Sequence, residues 1–100
     1  MQNGDTLPVA PEIPGVSTFE GSGRLVFVVR GELGPSPCQE IAARALSSDA
    51  EEIVLDVAAA DIQDRALDVL AGLIRESRRK IDIRGLRERQ IRLLDWLSAQ

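Results

Sequence analysis

Two short segments alternate apolar and polar residues strictly enough to fix the kind of sheet this chain can build. Residues 52–57 (EIVLDV) set Ile53, Leu55 and Val57 on one side and Glu52, Val54 and Asp56 on the other. Residues 80–84 (KIDIR) set Ile81 and Ile83 against Lys80, Asp82 and Arg84 in the same way. Between them the apolar positions switch to helical spacing. Leu67, Leu70, Ala71 and Ile74 form a stripe, flanked by Ala66, Val69 and Leu73. A strand, a helix and a second strand imply a right-handed crossover and parallel pairing. A sheet covered by helices on both faces needs strands that are apolar on both faces. These strands are apolar on one face and mixed on the other. The pattern therefore predicts helices mainly on one face of the sheet.

The rest of the chain extends this unit. Residues 24–30 (RLVFVVR) are rich in β-branched residues and form the strongest strand signal. Residues 16–20 precede them across Gly21-Ser22-Gly23, a hairpin turn. Residues 31–35 read as a loop. Ser36, Pro37 and Gln39 then resemble a capping box with proline at the first helical position. That helix carries Ile41, Ala42, Ala45 and Leu46 and ends near Ser48. The second helix is expected from Asp64 to about Arg79, with Asp61 or Asp64 as its cap. A last helix is expected over residues 86–97. The fold class is α/β, a four-stranded mixed sheet made of a β-hairpin followed by βαβαβ. Residues 1–15 contain Pro8, Pro11 and Pro14 and read as an extended or disordered lead-in to a domain over residues 16–100.

Hydrophobic residues make up 44% of the chain and charged residues 28%, which suits a packed domain and not a disordered one. Aromatics are only 3% (Phe19, Phe27 and Trp96), so the core must be aliphatic, and Trp96 is expected inside it. Charge is uneven. Residues 1–60 hold nine acids against three arginines, a balance of −6, while residues 61–100 hold nine bases against seven acids, a balance of +2. A net charge of −4 argues against nucleic acid as a partner. The arginines of the C-terminal part read as a solvated helix face. No apolar run reaches the roughly 20 residues that cross a bilayer, so direct membrane insertion is not expected. Residues 1–15 lack a secretory pattern, and the lone Cys38 fits a reducing compartment. The expected location is cytoplasmic.

Catalytic signatures are absent from the sequence. With no histidine there is no His-based triad and no His general base. The glycines fit neither a P-loop nor a dinucleotide-binding pattern. Asp56, Asp61 and Asp64 cluster near one strand end, but helix capping explains them better than a metal or an acid–base pair. No cofactor, metal or enzymatic activity is expected.

The stretch 52–73, EIVLDVAAADIQDRALDVLAGL, resembles the core of the STAS family, the sulfate-transporter and anti-sigma-factor-antagonist domain. A strand ends in Asp56, Asp64 follows eight residues later, and Leu67, Leu70 and Leu73 continue as a helix. Gly31-Glu32-Leu33 is similar to the family's G-E-L, and Gly85-Leu86 with Arg92-Leu93-Leu94 is similar to its C-terminal section. The resemblance covers residues 16–97.

It implies a non-enzymatic regulatory domain that binds a protein, such as a kinase-like anti-sigma factor. The implied contact surface is a loop and helix comprising Ala58, Ala59, Ala60, Asp61, Asp64, Arg65, Ala66 and Asp68. The departures are specific. Signalling members carry a phosphorylatable Ser or Thr just after the second aspartate; here those positions are Arg65 and Ala66. The glycine that usually follows is Leu67, and the aspartate that often follows G-E-L is Gly34. An alternative is an accessory subunit of a transporter ATPase complex of the lipid-transport type. Another is a self-associating structural domain, since Val26, Val28 and Val54 on the mixed face invite self-association or cover by residues 1–15. The expected oligomeric state is monomer or weak dimer.

Overall fold

The structure, a computed structural model, describes residues 13–100. The expected lead-in over residues 1–15 thus lies outside the described residues except for its last three. Of these, Ile13 is buried at 2% exposure and belongs to the core. Its carbonyl accepts a hydrogen bond from the Val16 N–H at 3.0 Å, and that of Gly15 accepts from the Arg30 N–H at 2.8 Å.

Seven elements follow in the order β-β-α-β-α-β-α. Strand β1 (Val16–Gly21) and strand β2 (Arg24–Leu33) form an antiparallel hairpin. Ser22 and Gly23 close it with φ of 53° and 77°, the doubly positive turn that matches strand twist. Helix α1 (Pro35–Ser47) crosses to strand β3 (Glu52–Ile62), and helix α2 (Asp64–Glu76) crosses to strand β4 (Lys80–Arg84). Helix α3 (Glu88–Ser98) follows. The sheet order is β1-β2-β3-β4, with β2–β3 and β3–β4 parallel. Both crossovers step in the same direction, so right-handed connections put both helices on one face.

One aliphatic core joins that face to the helices. Leu25, Phe27 and Val29 of β2 and Ile53, Leu55 and Val57 of β3 meet Ile41 of α1, Leu67 and Leu70 of α2 and Leu94 of α3. Cys38 is fully buried where α1 meets α2, and its Sγ donates to the Ala66 carbonyl at 3.5 Å. Burial pushes this thiol up to about 12 from 9.0, so it stays protonated and unreactive.

Three sequence expectations are corrected here. Helix α1 begins one residue before the expected cap. Gly34 is the N-cap and Pro35 the first helical residue, with no side-chain cap from Ser36. The Gly34 carbonyl accepts from the Cys38 N–H at 3.2 Å, and Pro35 and Pro37 occupy first-turn positions that have no intrahelical acceptor for an N–H in any case. Trp96 is not core: α3 packs through Leu93, Leu94 and Leu97, and the indole is 62% exposed on the opposite side. Ile91 is likewise 46% exposed. The loop expected at residues 31–35 is largely strand, because β2 continues to Leu33 beside an equally extended β3.

Candidate functional site

The expected contact residues sit where β3 ends and α2 begins. The local backbone differs from a loop. Ala58, Ala59, Ala60 and Asp61 all belong to β3, a correction to the expected loop. Alanine is a poor strand former, but Arg30, Gly31, Glu32 and Leu33 pair with Ala59, Ala60, Asp61 and Ile62 and supply the ladder. Leu33 and Ile62 are buried at 1% and 5%, and they anchor this extension to the core.

A bulge separates the extension from the rest of β3. Val28 pairs with Asp56, but Arg30 pairs with Ala59, so β3 holds one extra residue. The Asp56 carboxylate satisfies the displaced backbone: its Oδ1 accepts from the Ala58 N–H at 3.0 Å. Gly85, at φ +91°, lies against the same bulge. A Cβ there would stand 2.4 Å from the Ala58 nitrogen. The chain leaving β4 thus passes tightly over Ala58, and only glycine fits.

Beyond the bulge the surface is open. Gly31, Glu32, Ala58, Ala59, Asp61 and Arg87 line a shallow depression of about 620 Å³ that also borders Ala60. Ala58, Ala59 and Asp61 are exposed, and Ala60 is half-buried against the core. Gln63 then caps α2 with its backbone, accepting from Ala66 and Leu67, while its side-chain amide donates to Glu32 at 3.0 Å. Asp61 and Asp64 do not cap the helix, contrary to the sequence expectation. Asp64 occupies the first turn, where its charge complements the helix dipole, and it pairs with Arg89 of α3 at 3.3 Å.

Of the helix residues, Arg65 and Asp68 are exposed and Ala66 is fully buried. Ala66 therefore packs inside and offers nothing to a partner, which corrects its place in the expected surface. Arg65 and Asp68 engage no ion pair among the described residues, unlike several neighbouring charges. Arg75 donates to the Leu97 carbonyl at 2.7 Å, and Arg79 donates to the Ala45 carbonyl. These two arginines satisfy the last turns of α3 and α1 and hold the helical layer together. Arg84 pairs with Asp82 and Arg92 with Glu88, both at 2.9 Å.

Asp56 and Asp64 are engaged separately, by the Ala58 N–H and by Arg89, and among the described residues no three acidic or thiol side chains converge on a point that would hold a metal. Among those residues no helix is long and apolar enough to cross a membrane. The extension of β2 was not anticipated from sequence. Its signal was the apolar alternation of Leu33 and Ile62 with their neighbours.

No family model matches the chain, and no curated protein matches it. Among solved structures, one described as "Crystal Structure Analysis of Mglu" is similar, with a TM-score of 0.62 and 15% identity over 74% of this chain. The chain spans 20% of the length of that one. At that identity the likeness establishes the α/β fold of the sheet and its helices.

Proposed function

We propose that this chain is a non-enzymatic regulatory domain of the STAS type that binds a protein partner through the outer face of α2 and the end of β3. The observation that carries this reading is the pair Arg65 and Asp68. Both are exposed, both lack an ion pair among the described residues, and both lie in the first turns of α2, which follows the open Ala58–Asp61 strand end. Small side chains let a partner approach the backbone closely, and the two opposite charges set its orientation. Arg65 and Ala66 occupy the positions where signalling members carry a phosphorylatable hydroxyl. Binding here is therefore constitutive at that point and not gated by phosphate.

The fitting partner is a kinase-like anti-sigma factor. Affinity capture from native extract tests this, using the whole chain and an Arg65→Glu, Asp68→Arg variant with unchanged circular dichroism. A kinase-like protein held by the first and lost from the second supports the reading. Capture of a transporter ATPase would shift it to the accessory-subunit alternative. Equal capture by both would refute the surface.

A further inference from the structure

The face of the sheet turned away from the helices carries its own pattern, unrelated to α2. Register places Phe19, Val26 and Val54 in one row across β1, β2 and β3, with Val28 diagonally beside them. Phe19 is 59% exposed and Val26 and Val28 are half-buried, while Val54 at 1% is already covered by its neighbours. Charge is divided between the two ends of this stripe. At the end where β2 starts, Glu52 sits between Arg24 at 3.1 Å and Lys80 at 3.8 Å, leaving one positive charge in excess. At the other end Glu32 and Asp61 are directly opposed across β2 and β3, with exposed Arg30 two residues from Glu32 on the same face, leaving one negative charge in excess. Like charges in that relation destabilise a sheet unless a cation reaches them. The hydrogen bond from Gln63 to Glu32 relieves this only in part.

We infer that this face docks a second copy of the chain, the two sheets packed face to face about a two-fold axis running across the strands. That axis reverses strand direction between the copies. The Arg24 and Lys80 end of each chain then lies over the Glu32 and Asp61 end of the other, with Phe19, Val26 and Val28 between. A two-fold interface needs one self-complementary patch, and this face carries both halves of the charge pair. An axis along the strands would oppose like ends and is disfavoured. The interface shares Glu32 and Asp61 with the open surface at the end of β3 and leaves the outer face of α2 free.

The test is the mass of the intact chain by sedimentation over a wide concentration range. The expected result is a reversible dimer that weakens with salt. Phe19→Lys, at an exposed position that does not threaten folding, abolishes it. Arg24→Glu with Lys80→Glu gives a monomer, as does Glu32→Lys with Asp61→Lys, and mixing the two charge variants restores a dimer. A wild-type chain that stays monomeric throughout overturns the inference. So does a dimer that survives Phe19→Lys, or a mixture of charge variants that fails to associate.

Discussion

The two halves of β3 share a strand and little else. From Glu52 to Asp56 the strand is paired on both sides, with β2 and with β4. Ile53, Val54 and Leu55 there are all buried to 2% exposure or less. Beyond the bulge, among the described residues, β3 pairs with β2 alone, and two of its three alanines are exposed. The first half is built from side chains that fill the core. The second half offers backbone and small side chains to the outside. Core packing and open surface are therefore separated along one strand, and the bulge at Ala58 marks the division.

That separation is broken or sharpened by substitution. The largest effect belongs to the first half. Leu55→Ala removes a buried side chain under both crossover helices and should cost about 2–5 kcal/mol by chemical denaturation. Ala59→Ser, on the second half, should cost no more than about 0.5 kcal/mol. Similar losses at both positions would erase the distinction. Gly85→Ala tests the junction. It combines a left-handed backbone with a clash against Ala58 and should cost about 1–3 kcal/mol. A thermal melt unchanged by this substitution would mean the bulge is not held from above. Asp56→Ala should cost about 1 kcal/mol by leaving the Ala58 N–H without its acceptor, and Asp56→Asn should recover most of that.

Cys38 gives the core a pH signature. Its folded value is raised to about 12 from 9.0, so burial favours the protonated form. The linked stability is complete below about pH 9 and falls as pH rises towards 12, by at most about 1.4 kcal/mol per unit. A Cys38→Ala chain should lack that part of the alkaline decline, and the intact thiol should resist alkylation until the chain unfolds. The smallest effect on stability is expected at the proposed contact. Arg65→Glu with Asp68→Arg should change folding by no more than about 0.5 kcal/mol while removing the partner.

The sheet was legible because its first halves obey period two. Ile53, Leu55, Ile81 and Ile83 alone sufficed to predict a sheet covered on one side, and the helices do lie there. Alanines 58–60 misled because their propensity is low and their strand character comes from pairing with β2, which is a tertiary cause. Helix caps differ from the expected ones for a related reason, although the second helix starts at Asp64 as expected. Ser36, Asp61 and Asp64 have capping side chains, but backbone carbonyls of Gly34 and Gln63 take the first helical bonds. In the candidate site, the exposure of Arg65 and Asp68 followed from helical spacing. The burial of Ala66 between them follows from the same spacing, since it flanks the Leu67–Leu70 stripe, and α1 closes over it at Cys38. Trp96 lies outside the core because Phe27 and aliphatic side chains already fill it, and α3 meets it through Leu93, Leu94 and Leu97.

The most direct test of the binding surface is photocrosslinking in native extract, with a photoreactive residue placed in turn at positions 61, 65 and 95. All three are exposed, the first two at the end of β3 and the start of α2, the third on α3. Adducts to one partner from positions 61 and 65, and none from 95, are the predicted result. Adducts from position 95 alone would contradict it and move recognition to the helix that bears Trp96.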